Sequence, residues 1–453
     1  MTTFPDGFLW GAATSAYQIE GAVEADGRGR SIWDTFTHEP GRILNGDTGD
    51  VAADHYHRLE ADLDLLADLE IPAYRFSIGW PRVQPDGRGA LNRTGLSFYR
   101  RLLDGLAHRG IEPMVTLYHW DLPQALEDEG GWLNRDTATR FASYAARMVE
   151  EFGDLATTWI TLNEPWCSAF LGYYEARFAP GHNDYFEAYT ALHHLMLGHG
   201  LALEAIRGVA PDAKIGITCN HAEIVPAGDG DAGAARAADM EENRLFLDPV
   251  FRGSYPDDAP AILRDKSLVR PGDLDLISAP IDFYGVNYYV RETVAADPDE
   301  PNRGWKRVPA QGLLTSKGDG IAPDGLTNVL VRVGRDYAPA LPIYVTENGA
   351  PFADVVDENR KVADPDRIEY LAAHLQATRK AIDEGVDVRG YFVWSLLDNF
   401  EWDSGYAIRF GLVFVDYDTL ARIPKSSAYW YRNVIRANAI PTEGEPALIT
   451  AAD

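Results

Sequence analysis

Residues 157–165 read Thr157-Thr158-Trp159-Ile160-Thr161-Leu162-Asn163-Glu164-Pro165. This β-rich run ends in a carboxylate and is closed by proline, which is typical of a buried parallel strand that delivers an acid to a loop. A second stretch repeats the arrangement, because Leu341-Pro342-Ile343-Tyr344-Val345-Thr346 leads into Glu347 and is followed by Asn348-Gly349. The sequence therefore predicts two glutamates, Glu164 and Glu347, at the ends of two strands.

Two carboxyl groups that flank one bond are the minimum apparatus for glycoside hydrolysis. One must protonate the departing oxygen while the other attacks or stabilises the sugar cation, so the two need opposite protonation states. A single Asn-Glu-Pro is more often a turn or a helix cap. Two such sites at matched strand ends favour an active site built from Glu164 and Glu347.

Short apolar strands alternate with helical patterns along the chain. This alternation predicts a parallel sheet covered on both sides, and eight units close into a (β/α)8 TIM barrel. The alternative is an open doubly wound sheet, but no Gly-x-Gly-x-x-Gly follows the first strand and no phosphate-binding Gly-Lys-Ser/Thr occurs. The strands are predicted at 8–14, 71–78, 111–120, 157–163, 213–218, 281–287, 341–347 and 390–395, and the helices around 59–69, 98–106, 141–149, 191–206, 326–333 and 368–382.

The chain lacks linkers and internal repeats of 20 to 50 residues. We therefore expect one catalytic α/β domain over residues 1–453, with 441–453 a tail. The polar segments 227–240 and 293–320 are long for connections, and we expect them to be loops at the barrel mouth, on the C-terminal face of the strands.

Composition restricts the partners and the compartment. The net charge of −28 disfavours nucleic acid and anionic membranes as partners. Cys167 and Cys219 form no Cys-x-x-Cys or Cys-His metal spacing and no disulfide framework, which favours a reducing compartment. The N-terminal residues have no basic and apolar signal pattern, and no stretch has the length of a membrane span. We predict a cytoplasmic protein without cofactor, metal, nucleic acid or membrane partners.

Polar and aromatic residues collect at the predicted strand ends. In a barrel these ends face the active site. Amides, indoles, imidazole and carboxylates suit a sugar, because planar groups bond its hydroxyls and aromatic faces cover its C–H surface. The residues are Gln18, Arg75, His119, Trp120, Asn163, Glu164, Asn287, Tyr289, Glu347 and Trp394, with Glu401 and Trp402 just beyond.

These residues carry a resemblance that covers nearly the whole chain. The sequence resembles family 1 glycoside hydrolases, the β-glucosidase family, in six motifs that occur in the family's order. The motifs are Phe8-Leu9-Trp10-Gly11-Ala12-Ala13-Thr14-Ser15-Ala16-Tyr17-Gln18-Ile19-Glu20-Gly21, Tyr74-Arg75-Phe76-Ser77, Thr161-Leu162-Asn163-Glu164-Pro165, Asn287-Tyr288-Tyr289, Thr346-Glu347-Asn348-Gly349 and Trp394-Ser395-Leu396-Leu397-Asp398-Asn399-Phe400-Glu401-Trp402.

The resemblance implies a retaining β-glycosidase, with Glu164 as general acid/base and Glu347 as nucleophile. A β-glucosidase that acts on small β-glycosides or short β-linked oligosaccharides is expected first, with a broad β-galactosidase/β-fucosidase or a transglycosidase as alternatives. To donate a proton, Glu164 needs a pKa raised from about 4.3 toward neutrality. The resemblance assigns substrate binding to Gln18, His119, Trp120, Asn163, Tyr289, Trp394, Glu401 and Trp402, and support of the nucleophile to Arg75, Asn287 and Tyr289.

Two other classes of protein compete with this function. A metal-dependent hydrolase is suggested by His55-Tyr56-His57 and His193-His194. However, residues 55–57 lead into a helix instead of ending a strand, so their imidazoles should not face the barrel mouth. A barrel that binds sugar without cleaving it would have lost a glutamate, whereas both glutamates are present.

Two branches of the family are disfavoured by single residues. The thioglucosidases resemble this sequence but carry Gln where Glu164 stands. The 6-phospho-glycosidases carry Ser where Glu401 stands, and a carboxylate there, beside Asp403, would repel a phosphate dianion. Unphosphorylated glycosides are therefore the expected substrates.

The sequence departs from the family before the seventh strand. The family there usually reads Gly-Trp-x-Ile/Val-x-Pro-x-Gly-Leu, with the Trp at the aglycone side. Residues 318–326 place Asp319 at the position of that Trp. The alternative is that Trp305, which also stands four residues before a proline, folds back to fill the place.

Overall fold

The structure, a computed structural model, describes residues 2–441, so all but the first residue of the predicted 441–453 tail lies outside the described part. Eight parallel strands pair in chain order and close into a barrel, with Trp394 of the last strand opposite Ala13 of the first. This confirms the TIM barrel and contradicts the open sheet. The strands are β1 Leu9–Ala13, β2 Ala73–Ser77, β3 Glu112–Tyr118, β4 Thr158–Asn163, β5 Lys214–Asn220, β6 Phe283–Asn287, β7 Ile343–Asn348 and β8 Val388–Trp394.

Helices surround the barrel at each of the six predicted positions. The helix Tyr185–Val209 has a local cause at its start, because the Asp184 side chain accepts from the N–H groups of Phe186 and Glu187 at 2.8 and 3.1 Å. Within residues 2–441, no helix is both long enough and apolar enough to cross a membrane. The main helices are His55–Asp68, Arg93–His108, Asp136–Phe152, Tyr185–Val209, Ala232–Asp239, Leu245–Arg252, Asp273–Ile277, Pro323–Arg332, Pro365–Asp383 and Ser426–Ala437.

The prediction that 227–240 and 293–320 are loops is wrong in part. Ala232–Asp239 is a helix, since its alanines favour helix and let it pack closely. Arg291–Ala296 pairs with Glu223–Pro226 and with Trp305–Arg307 in a three-stranded sheet beside the barrel. Tertiary packing stabilises both elements, because Trp305 and Val294 bury the alanines of that helix.

The barrel interior changes from apolar to polar along the strands. Phe283 and Phe392 belong to an apolar cluster inside the barrel, where Gly216 and Gly11 leave room for the two rings. A Cβ at Gly216 would lie 2.5 Å from the Phe283 ring. Every second side chain of a strand points to the same face, so Phe283, Gly285 and Asn287 of β6 all point into the barrel. The apolar cluster therefore ends where the polar residues at the strand ends begin.

Candidate active site

The carboxyl ends of the strands surround a cavity of about 390 Å³. Most of the sequence-predicted site residues line it directly. Gln18, Arg75 and Asn163 lie behind the lining with at most 1% of their surface exposed, and each is hydrogen-bonded to a lining residue. The predicted residues that line the cavity are His119, Trp120, Glu164, Asn287, Tyr289, Glu347, Trp394, Glu401 and Trp402.

Glu347 is held by two donors. The Arg75 guanidinium donates to Oε1, and the Tyr289 hydroxyl donates to Oε2 at 2.6 Å. Glu347 is 3% exposed, so these interactions act where little water screens them. A cation and a hydroxyl donor both stabilise a carboxylate in its ionised form. Both contacts therefore fix the position of the Glu347 carboxyl group and favour its ionised form.

Glu164 lies in a different environment. It follows β4 with a φ of 45°, a left-handed conformation that few residues other than glycine adopt. Its Oε1 accepts from Asn287 Nδ2 at 2.8 Å and its Oε2 from the Cys167 thiol at 3.3 Å. Burial, and then the charge of Glu347, raise the pKa of Glu164 to about 8. Glu164 therefore carries a proton at neutral pH.

A network of amides joins the two glutamates. Asn163 Oδ1 accepts from Arg75 at 2.6 Å and from Asn287 at 3.1 Å, so one oxygen connects the partners of both carboxyl groups. The Thr346 hydroxyl donates to Asn287 Oδ1 at 2.7 Å and fixes that amide. Burial and the charge of Arg75 hold the pKa of His119 well below its usual range, so this imidazole is neutral.

At the far side of the cavity, carboxyl, amide and aromatic groups meet. Gln18 Nε2 donates to Glu401 Oε2 at 3.2 Å, and burial raises the pKa of Glu401 to about 8. The His119 ring stacks on Trp394 and on Trp402, with centroid distances of 5.7 and 6.0 Å. Hydrogen-bonding groups beside stacked rings are the surface that a sugar requires.

Trp120 offers only its ring to a ligand. Its indole N–H already donates to the main-chain oxygen of Asn163 at 2.9 Å. The ring packs 4.4 Å from that of Trp402 and lines the cavity. Trp120 therefore supports the aromatic surface of the cavity and has no free hydrogen bond to give.

Several lining residues were not predicted from the sequence. Cys167 had a usable signal, because it follows Glu164 by one turn, and its N–H donates to the Glu164 main-chain oxygen at 2.9 Å. Asn220 ends β5 and so also had the strand-end signal, and Trp166 follows Glu164 by two residues. Glu242, Glu292 and Arg307 had no such signal, since they lie in long segments between barrel strands whose course only the tertiary structure decides.

The structure separates Asp319 from Trp305. Asp319 lines the cavity, together with Thr315 and Lys317. Trp305 is 3% exposed, packs against Ala234, Ala238 and Val294, and is not among the lining residues. This contradicts the alternative that Trp305 fills the place where the family has its tryptophan.

The histidines that suggested a metal site have structural partners. A helix begins at His55, as expected, and His55 Nδ1 lies 2.8 Å from Asp62 while exposed His57 pairs with Asp54. His193 and His194 are buried in the helix Tyr185–Val209, outside the cavity lining. None of these imidazoles faces the two glutamates.

The fold and site define a class of enzyme. A TIM barrel with one protonated and one ionised glutamate at the ends of β4 and β7 is the apparatus of a retaining glycoside hydrolase. The family model "Glycosyl hydrolase family 1" matches residues 1–440. The chain belongs to glycosyl hydrolase family 1.

Curated relatives and solved structures agree with this assignment. The chain is 48% identical to "Beta-glucosidase A" of Thermotoga maritima, over 96% of this chain and 98% of that protein. It is 49% identical to "Bifunctional beta-D-glucosidase/beta-D-fucosidase" of Bifidobacterium breve, over 95% and 98%. A solved family 1 β-glucosidase from Thermotoga maritima superimposes with a TM-score of 0.95 at 46% identity, covering 98% of this chain and all of that one.

Proposed function

We propose that this enzyme is a β-glucosidase that releases terminal non-reducing β-D-glucosyl residues from small β-glycosides and short β-linked oligosaccharides. The observation that carries the proposal is the contrast between the two glutamates. Arg75 and Tyr289 hold Glu347 as a carboxylate, whereas burial keeps a proton on Glu164, whose pKa is about 8. The names of the relatives supply the preference for glucosides.

The reaction follows from these protonation states. Glu347 attacks the anomeric carbon while Glu164 gives its proton to the glycosidic oxygen, so the bond to the aglycone breaks and a glycosyl-enzyme forms. Esterification removes the charge of Glu347, and Glu164 then acts as base. It takes a proton from water, whose oxygen attacks the anomeric carbon and releases Glu347. Two displacements at one carbon retain its configuration.

Binding of the glucosyl unit is proposed for the aromatic end of the cavity. Gln18, His119, Asn163, Glu401 and Trp402 are assigned to its hydroxyls and Trp394 to its ring face. Neutral His119 supports this role, because an uncharged imidazole can both donate and accept. Asp403 lines the same cavity as Glu401, which supports unphosphorylated sugars over 6-phospho sugars.

A second candidate activity is β-fucosidase. The Bifidobacterium breve relative is named for both activities, and it is 49% identical to this chain. Broad β-galactosidase activity and transglycosylation remain alternatives within the same mechanism.

The test is a panel of aryl β-glycosides followed by β-linked glucose disaccharides. We expect the highest kcat/KM for β-glucosides, with β-glucose as the first-formed product and full activity in a strong chelator. Absence of turnover with every β-glycoside would leave only a sugar-binding barrel, and loss of activity on chelation would reinstate a metal-dependent hydrolase. A higher kcat/KM for β-fucosides would make the second candidate the main activity.

The biological setting is also proposed. The sequence pattern supports action in the cytoplasm on short oligosaccharides such as those that cellulose degradation supplies. Cell fractionation tests the compartment, and recovery of the protein in an exported fraction would contradict it.

A further inference from the structure

A second group of charged side chains lines the cavity apart from the two catalytic glutamates. It consists of Glu242, Glu292, Arg307 and Asp319, and we call it the acidic wall. Arg307 donates to Glu242 Oε1 at 2.5 Å and lies 3.2 Å from Glu292. One guanidinium therefore serves two carboxylates of the wall, and the third, Asp319, has no ion pair among residues 2–441.

The wall is crowded with negative charge. Burial, then the charge of Glu242 and, more weakly, that of Asp319 raise the pKa of Glu292 to about 7, although Arg307 acts in the opposite direction. The other cations of the lining act elsewhere, because Arg177 pairs with Asp403 at 3.0 Å and Lys317 stabilises the charge of Glu401. The acidic wall itself contains three carboxyl groups and one cation, Arg307.

Uncharged atoms beside the wall also lack partners. The Trp166 N–H and the Asn220 Oδ1 are buried and make no hydrogen bond to the described residues, and both side chains line the cavity. Arg307 of the acidic wall lies 5.6 Å from the centre of the Trp166 ring, so Trp166 is next to the wall. A buried donor and acceptor without partners favour a ligand that brings hydroxyl or amine groups.

The wall adjoins the catalytic acid. Asn220 at the end of β5 is paired in register with Asn287, which donates to Glu164. Because Glu164 and the wall line the same cavity, we infer that the leaving group protonated by Glu164 departs into the space between them. Trp166 lies beside Arg307 of the wall and residue 319 is not aromatic, so a purely apolar aglycone there would meet carboxyl groups.

We propose that the acidic wall is the surface that recognises the aglycone, and that it selects amine-bearing, positively charged aglycones over anionic aglycones of the same shape. The inference rests on the proposed β-glucosidase function, since it names the specificity of the same reaction. Its physical cause is Coulomb attraction between a cationic aglycone and the carboxyl groups of the wall, which outnumber its one guanidinium and include Asp319 without an ion pair among residues 2–441.

The test uses three β-glucosides with similar aglycones that differ in the charge of one para substituent, namely 4-(aminomethyl)phenyl, 4-(hydroxymethyl)phenyl and 4-(carboxymethyl)phenyl. The methylene group insulates the phenol oxygen, so the leaving groups have similar basicity. At neutral pH we expect kcat/KM to fall from the cation to the neutral compound to the anion. Asp319→Asn should reduce the ratio of cation to anion by about five-fold, through KM.

A matched control is Asp336→Asn. Asp336 is exposed and precedes β7, so it lies at the opposite end of the barrel while the change in charge is identical. The ratio should stay unchanged in this variant, and the inhibition constant for glucose should be the same in both variants and in the wild type. Glu292→Gln provides a second variant of the wall with the same expected direction.

Three results would overturn the proposal. Equal kcat/KM for the cation and the anion in the wild type would show that the wall does not select charge. An equal change of the ratio in Asp319→Asn and Asp336→Asn would assign the effect to the net charge of the protein. No turnover of the neutral compound would overturn the β-glucosidase function itself, and this inference with it.

Discussion

The pKa of Glu164 should change during the catalytic cycle by an amount that the structure allows us to work out. Burial and the charge of Glu347 together raise this pKa to about 8 in the free enzyme. In the proposed mechanism, formation of the glycosyl-enzyme turns Glu347 into an uncharged ester and leaves the burial of Glu164 in place. The contribution of Glu347 is thus removed when Glu164 must change from acid to base.

The size of the change follows from Coulomb's law. The two carboxyl groups of a retaining glycosidase stand about 5.5 Å apart. At an effective dielectric constant of about 20, one unit charge at that distance is worth about 3 kcal/mol, or about 2 in pKa. The pKa of Glu164 should therefore fall to about 6 in the glycosyl-enzyme. It stays above the ordinary value of a glutamate because burial is the larger cause.

Two pH profiles measure the two states. With an alkyl β-glucoside, kcat/KM reports the free enzyme and should decline above pH 8 or so, as Glu164 loses its proton. With 2,4-dinitrophenyl β-glucoside, whose departure needs no proton, kcat reports hydrolysis of the glycosyl-enzyme and should decline below about pH 6. Glu164→Gln should remove both declines. Equal midpoints in the two profiles, or a decline that persists in Glu164→Gln, would refute the reasoning.

Four further predictions test individual residues. Glu164→Gln should slow cleavage of alkyl and sugar leaving groups far more than that of dinitrophenolate, and equal losses would exclude it as the acid. Glu347→Gly should abolish hydrolysis because no ester can form, and azide should restore turnover with an α-glycosyl azide as product; a β-azide would contradict the nucleophile assignment. Asp319→Trp should lower KM for cellobiose and aryl glucosides by about 2- to 10-fold, because an added aromatic face is worth about 0.5 to 1.5 kcal/mol of binding. The preference for the glycosyl unit should not change, and Trp305→Ala should leave these KM values unchanged. Burial raises the pKa of Glu401 from 4.5 to about 8, so this carboxyl group lowers the stability of the fold as pH rises from 4.5 to 8. Glu401→Gln should therefore raise the free energy of unfolding by about 1 to 3 kcal/mol at about pH 8.5 and leave it unchanged near pH 4. An equal change in thermal unfolding at both pH values would disprove this.

The barrel and the positions of the two glutamates could be predicted because both depend on patterns of neighbouring residues in the sequence. A strand in a barrel is covered on both faces, so stretches such as 157–163 and 341–346 are short and apolar, and the residue that ends each one lies at the barrel mouth. The loop prediction for 227–240 was wrong because the Ala-rich stretch 232–239 acquires its buried face from Trp305, which is distant in sequence. Local patterns do not contain such a partner.

The tertiary structure alone decided which chemistry each glutamate can perform. Glu164 and Glu347 are the same residue type at equivalent strand ends. They differ because Arg75 from β2 donates a hydrogen bond to Glu347, whereas burial is the largest cause of the raised pKa of Glu164. The acidic wall is a similar case, because Glu242, Arg307 and Asp319 come from different segments of the chain and share no motif. Coulomb energies and desolvation depend on distance in space, so a sequence supplies the charges and only the fold supplies their pKa values and partners.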